Sequence, residues 1–315
     1  MIPHNKLVPT DADRAAVARV LGSGHIAQGP EVEAFERELA ERFRPDGAAV
    51  CVSSGTAALM LAMELTPYVA DFRISTYTCA AAYHAAAFSH QGPALLSDID
   101  PVTLHPITRH LSEHTYGLLD SRPALIEDFT HCPVPPAGSI GTLSVISFGA
   151  TKPLAAGAGG AVLGPKEAIA EIRDRRDYDG KRDLRECFNF QLSDLHACLG
   201  REKLKRLPQE YEWRRQTAAR YISSRTFGWK YQQSHGQYRF LLETDPGHAI
   251  PQLAEYGVRA IQPLAPWELL HRKLGLSPTQ FPNAEKAAAS LVSLPIWPGM
   301  SDAEVGQVCS ALEKL

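Results

Sequence analysis

No two cysteines in this sequence stand at CxxC spacing: the six, at positions 51, 79, 132, 187, 198 and 309, are scattered along 315 residues. No metal centre is expected from them, nor a disulfide framework, and the pattern fits a reducing, cytoplasmic compartment. An excess of either charge is also missing, the formal net charge being -3. Neither a nucleic acid nor a membrane surface is therefore an expected partner, because both need a clustered basic face. The Arg/Lys run from Lys166 to Arg185 is interleaved with Asp and Glu and reads as a solvated face. Long hydrophobic runs are lacking too. The most apolar stretch, Cys79 to Phe88, is too short to span a bilayer and contains His84. Met1 to Thr10 has no basic segment leading into an apolar core, so no secretory signal is expected.

What is present is a βα alternation. Pro30, followed by Glu31 and Glu33, opens a helix whose apolar face is Val32, Phe35 and Leu39. A short apolar strand from Ala48 to Val52 leads through Ser53-Ser54-Gly55-Thr56 into an apolar helix ending near Leu65. Short apolar runs recur at Phe72–Ser75, Ala94–Ser97, Ala124–Ile126 and Leu143–Phe148, with helix-like stretches between several of them. Leu195 to Tyr221 reads as a long helix broken near Pro208. After Ser224 the pattern becomes strand (Tyr238 to Leu242), helix, strand, helix. The expected division is a large unit over 1–225 and a smaller α+β unit over 226–315.

Four elements carry chemistry. Ser54-Gly55-Thr56 lies between a strand and a helix N-terminus, where free backbone N–H groups and the helix dipole can hold a phosphate; an ordinary N-cap is the alternative. Glu127-Asp128 ends a buried strand, and a carboxylate there faces the crevice in which α/β folds bind ligands; it could instead cap the following turn. Lys152, in Ser147-Phe148-Gly149-Ala150-Thr151-Lys152, follows another apolar strand, and low-dielectric walls there would favour the free amine that imine chemistry needs. The glycines of Gly157-Ala158-Gly159-Gly160 behind it also fit a simple hairpin. Last, Phe188-Asn189-Phe190 precedes the long helix; residue type alone gives Asn189 no role.

Taken in order, these elements resemble the DegT/StrS family of sugar-nucleotide aminotransferases dependent on pyridoxal phosphate (PLP). Ser23-Gly24-His25-Ile26-Ala27-Gln28-Gly29-Pro30, Asp98-Ile99-Asp100, Phe281-Pro282-Asn283-Ala284-Glu285 and Leu294-Pro295 extend the likeness from about residue 20 to the C-terminus. The resemblance implies the aspartate aminotransferase-like fold (fold type I), with a mixed central sheet and a smaller C-terminal α+β domain. It implies that Lys152 holds the cofactor as a Schiff base and shuttles protons, that Asp128 pairs with the pyridine nitrogen, and that Ser54, Gly55, Thr56 and Ser147 form the phosphate end. Asn189 is implied to reach the partner subunit's cofactor in a homodimer with shared sites. The implied substrates are an amino donor, glutamate, and a keto acceptor, a nucleotide-linked keto-sugar.

The sequence departs from the family in places. His131 stands where the family has Gln beside the cofactor's ring oxygen, which makes a pH-dependent charge there an expectation. Cys79 aligns where an aromatic residue often stacks on the ring, and Gln191 replaces an arginine. His114-Thr115-Tyr116-Gly117 matches the family's His-x-Tyr-Gly, yet too little chain surrounds it for helical crossovers, which need about a dozen residues. At least one helix flanking the sheet is therefore expected to be absent. Three other readings remain at this stage: a dehydratase relative, against which the intact Lys152 argues; a PLP-binding member that has lost turnover; and a transaminase for a non-sugar ketone.

Overall fold

The computed structural model describes residues 1–224, 229–230 and 238–315. After α1 (Asp11–Ser23), capped reciprocally by Thr10 and Asp13, α2 (Pro30–Phe43) starts on its proline as the sequence predicts. There follow β1 (Ala48–Val52), α3 (Gly55–Leu65), β2 (Arg73–Ser75), α4 (Ala80–Phe88), β3 (Leu95–Ser97) and β4 (Leu111–Glu113). Next come β5 (Ala124–Asp128), β6 (Gly141–Ser147), β7 (Gly160–Gly164), α5 (Lys166–Arg175) and α6 (Asp194–Ser224).

The central sheet runs β1-β7-β6-β5-β4. β4, β5 and β6 are parallel, and β7 lies antiparallel to both its neighbours, so the sheet is mixed as expected. The parallel pair β2–β3 continues it beyond β4: the His110 N–H donates to the Arg73 carbonyl and the Arg73 N–H to His110 Nδ1, both at 2.9 Å. On one face Leu59 and Met63 of α3 and Ile169 of α5 pack on Leu111, Ile126, Val145 and Val162. On the other, Phe35 and Leu39 of α2 and Leu204 and Leu207 of α6 cover Cys51, Ile146 and Leu163.

Two expectations need correcting. Pro208 does not break α6, which is continuous over 31 residues. The proline is exposed, so the carbonyl it leaves without a donor can turn to water, while buried Leu204 and Leu207 on one side and Ala218 and Tyr221 on the other pin both halves. The basic run after Lys166 is not wholly solvated either. Arg176 is 5% exposed and donates to Glu36 at 2.7 Å and to the Cys51 carbonyl at 2.9 Å, tying α5 to α2 and β1.

The shortened middle is confirmed. β3 and β4 are joined by residues 98–110 without a helix, and β4 and β5 by residues 114–123 with one 3-10 turn. In place of helices, a polar row crosses the strands, Ser112 beside Glu127 beside Ser144. Ser112 Oγ donates to Asp120 at 2.8 Å, and Arg122 Nε also reaches Asp120 at 2.8 Å. Burial works against the Asp120 charge, but Arg122, His105 and Ser112 outweigh it and bring the carboxyl down to about 2. The Asp120 N–H donates to His114 Nδ1 at 3.1 Å, so His114 carries its proton on Nε2, 2.7 Å from Glu127. Glu127 also accepts from the N–H groups of Gly138, Ile140 and Gly141.

A second sheet, β10-β9-β8, comprises β8 (Trp229–Lys230), β9 (Phe240–Glu243) and β10 (Leu291–Leu294). With α7 (Pro246–Glu255), α8 (Leu270–Lys273), α9 (Pro282–Ser290) and α10 (Asp302–Leu312) it forms the C-terminal part. Its core, built on Leu242, Leu253, Val292 and Val308, also takes in Tyr221 from the end of α6 and Ile2 from the start of the chain. Among the described residues no helix is long and apolar enough to cross a membrane.

Candidate active site

A cavity of about 570 Å³ opens at the C-terminal ends of β4, β5 and β6, against the N-terminus of α3, with Arg239 and Glu268 of the C-terminal part on its far wall. Ser54, Gly55, Thr56 and Ser147 line one end of the sequence-predicted set; Cys79, Asp128, His131 and Lys152 line the rest. Asn189 does not. Its side chain is exposed, although the Ser53 N–H donates to the neighbouring Phe190 carbonyl at 2.8 Å.

The Ser54 hydroxyl caps α3 by accepting from the Ala57 N–H at 3.0 Å, so the N-cap reading holds for that side chain. The N–H groups of Gly55 and Thr56 precede any intrahelical acceptor and point out of the helix end. Gly55 is required by close approach: a Cβ there would stand 2.6 Å from Ser147 Cβ. Gly160 likewise lets the chain pass, since its Cβ would meet the Ser54 carbonyl at 2.7 Å. These contacts bring the helix end, the Thr56 hydroxyl and the Ser147 hydroxyl to one spot, an anion site made largely of backbone.

Lys152 Nζ lies 3.0 Å from His131 Nε2. The other ring nitrogen of His131 accepts the Tyr116 N–H at 3.3 Å, which assigns the proton of the neutral ring to Nε2. An N–H thus faces the cavity beside the lysine. The ring is closed between Tyr238, stacked at 4.4 Å, and Tyr116 at 6.1 Å. Burial first, then Lys152 and Arg239, hold it well below the usual histidine range. A charge change near neutral pH, expected from residue type, is therefore overturned: His131 stays a neutral donor. Asp128 is oriented by the Thr130 N–H at 2.9 Å, and Thr130 Oγ1 accepts from the Ser147 N–H at 2.9 Å, linking the acid to the phosphate end.

Several wall residues were given no role in the site from the sequence. Glu113 pairs in register with Asp128 across β4 and β5, is bonded by the Thr78 hydroxyl, and leaves its Oε2 buried without a partner. Burial, partly offset by Thr78 and reinforced by the Asp128 charge, raises its carboxyl to about 8. Its place at the end of a strand one residue before His114 was the available signal. Tyr116 adopts a left-handed backbone (φ 56°), a costly conformation for an aromatic residue, inside the shortened connection. Tyr238 and Arg239 come from about 85 residues beyond Lys152 in the chain, a span no local pattern bridges.

The constellation matches PLP chemistry in donor type: an amine, a carboxylate for a ring nitrogen, an N–H for a ring oxygen and a backbone cradle for phosphate. The model of the DegT/DnrJ/EryC1/StrS aminotransferase family matches residues 9–114, 131–234 and 249–313. The chain belongs to this family. It is therefore an aminotransferase, and its cofactor is PLP. The first break in the match covers residues 115–130, the trimmed connection together with β5, so Asp128 is placed at the site by the geometry of the sheet.

Among relatives, EryC1 of Saccharopolyspora erythraea, an erythromycin biosynthesis sensory transduction protein, is 30% identical over 96% of this chain and 95% of its own. A dTDP-4-dehydro-2,3,6-trideoxy-D-glucose 4-aminotransferase of Saccharopolyspora spinosa is 26% identical over 99% of this chain and 95% of its own. The latter alignment spans 372 residues, more than this chain contains. Of solved structures, the sugar aminotransferase CalS13 from Micromonospora echinospora superposes with a TM-score of 0.83 at 21% identity, each chain covered completely. Helicobacter pylori PseC gives 0.84 at 18% identity, covering 99% of this chain and 98% of PseC. At these identities the two structures speak for the fold.

Proposed function

We propose that the protein moves an amino group from glutamate to the keto group of a nucleotide-linked sugar, with PLP held at Lys152. The observation that carries this reading is the convergence of Lys152, Asp128, His131 and the α3 N-terminus on one cavity. The sugar acceptor is supported by the relative from S. spinosa, whose name states that it aminates a dTDP-linked keto-sugar.

When bound, PLP supplies an electron sink for the bond pair released at the donor's α-carbon. The chain does the rest. The α3 N–H groups, Thr56 and Ser147 hold the phosphate; Asp128 keeps a proton on the ring nitrogen; and His131 Nε2–H donates to the ring oxygen. Once displaced by the donor's amine, Lys152 Nζ would be free to take the proton from the donor α-carbon and return it to the carbon across the donor nitrogen, a transfer its single flexible stem can span.

The site is completed by a second subunit in this reading. The 174–189 segment supports that: Leu184 is fully exposed, Tyr178 is 55% exposed, and Asn189 is exposed and does not line its own cavity. The core built on Leu242, Leu253, Val292 and Val308 supports a smaller C-terminal domain starting near residue 226, joined to the rest through Leu241 and Leu291, which pack with Tyr77, Ile99 and Tyr116. All six cysteines are unpaired, in keeping with a cytoplasmic site of action.

Borohydride reduction of the holoenzyme followed by peptide mapping should label Lys152. In unreduced holoenzyme, glutamate should shift the visible spectrum to that of the pyridoxamine form, and a dTDP-4-keto-sugar should reverse it. A label on any other lysine, or a spectrum indifferent to both substrates, defeats the proposal. Sedimentation should show a dimer, and a fully active monomer removes Asn189 from the site.

A further inference from the structure

Arg239 enters the cavity wall at the start of β9. The rings of Tyr116 and Tyr238 hold its Cζ, at 5.6 Å and 5.3 Å from their centroids. One guanidinium nitrogen, Nη1, is turned away toward His4 Nε2 at 3.3 Å and Ser293 Oγ at 3.5 Å. Neither partner is anionic: burial first, then the Arg239 and Arg259 charges, bring His4 down to about 3, which leaves it neutral. Among the described residues no carboxylate lies within ion-pair distance of Arg239, and its Nε is buried without a partner. Arg176 is matched by Glu36 and Arg201 by Glu31 and Glu38, whereas buried Arg214 meets the carbonyls of Tyr238 and Ile296.

Arg239 is half-buried on the cavity wall with no counter-ion among the described residues, so a ligand that brings the negative charge is favoured there. Arg239 lines the cavity as a cation, and its guanidinium can donate a charge-assisted hydrogen bond to a carboxylate there. Lys152 stands against the same aromatic plate, its Nζ 5.9 Å from the Tyr238 centroid. An amino acid whose nitrogen reacts at Lys152 therefore has a carboxylate within the reach of Arg239.

We propose that Arg239 receives a carboxylate of the amino donor and so determines that the donor is an amino acid. The inference rests on the transaminase reading. An anionic oxygen could also come from a phosphate of the acceptor, and the two half-reactions separate these sources.

The test uses PLP-loaded wild type, Arg239→Gln and Arg239→Lys, compared in melting temperature and in PLP affinity. For Arg239→Gln the KM for glutamate should rise about 10- to 100-fold, the range lost with a charge-assisted hydrogen bond, with kcat little changed. Calorimetric binding of maleate, an unreactive dicarboxylate, to the holoenzyme should vanish. Arg239→Lys, which keeps the charge, should recover part of both. The reaction of the pyridoxamine form with the keto-sugar should be unaffected. Unchanged glutamate KM and maleate binding overturn the proposal, as does a loss confined to the keto-sugar half-reaction. If the wild type reacts with no amino acid, the functional reading falls, and maleate binding by the two variants still decides the role of Arg239.

Discussion

Two flanks of the same sheet are built in opposite ways. At the α3–β6–β7 end the chain comes together through backbone, with Gly55 and Gly160 admitting contacts that any side chain would block. At the β3–β4–β5 end, where crossover helices are absent, a buried row of Ser112, Glu127 and Ser144 is closed over by Asp120, Arg122 and His114. The first flank is intolerant of added atoms, the second of lost charges. Cofactor chemistry needs only the C-terminal tips of the strands held in place, and both constructions hold them. That is why the connections could be shortened with the cavity walls Asp128, His131 and Lys152 still together.

The largest effect should come from the shared tip. Asp128→Asn should retain PLP and slow the glutamate half-reaction about 10²- to 10³-fold, as removal of a preorganised electrostatic group does; near-normal stopped-flow rates would reduce Asp128 to a turn cap. Breaking the charged flank comes next. Asp120→Ala strands the largely buried Arg109 side chain, whose Nε lies 3.1 Å from it, and the Ser112 hydroxyl, and urea unfolding should show a loss of about 3–5 kcal/mol, the range for orphaning a buried ion pair. Below its melting point that variant should still bind PLP with near-wild-type affinity. A large loss of affinity would mean that the two flanks are not independent.

Gly55→Ala attacks the other construction. The added methyl group must displace Ser147, at a cost of about 1–3 kcal/mol for overpacking, and PLP affinity, measured by absorbance titration, should fall while Asp120-dependent stability is untouched. The smallest effect is on pH dependence. Glu113 titrates near 8 in the folded chain against an ordinary 4.5, so between those values the folded state holds a proton that the unfolded state has released. Stability must then decline as pH rises through that window and level off above it. Glu113→Gln removes the term: its melting temperature without cofactor should gain on the wild type from pH 5 to 8 and run parallel beyond.

Much of the fold could be read in advance where the signal is local. Proline and acids at Pro30–Glu33, apolar runs of strand length and the glycine-flanked turns each follow from near-neighbour sterics and patterning. The shortened connection followed from counting residues between His114 and Glu127. The order of Ser-Gly-Thr, Glu-Asp and the lysine segment led to the cavity residues through family likeness. The errors were all non-local. Pro208 looked like a helix break because a single sequence shows neither its exposure nor the two cores that hold α6 on either side. Arg176 looked solvated because its partner Glu36 is 140 residues away.

The sequence by itself determined where many of the strands and helices lie and the loss of crossover helices, since each depends on residue type and spacing along the chain; the lysine and the carboxylate were reached through family likeness. Only the tertiary structure decided the protonation of His131, the raised carboxyl of Glu113 and the unmatched charge of Arg239. Those properties are set by desolvation and by the groups brought alongside, and both appear only when distant segments pack. Tyr116 and Tyr238, from opposite ends of the fold, enclose His131 and prop Arg239 at once.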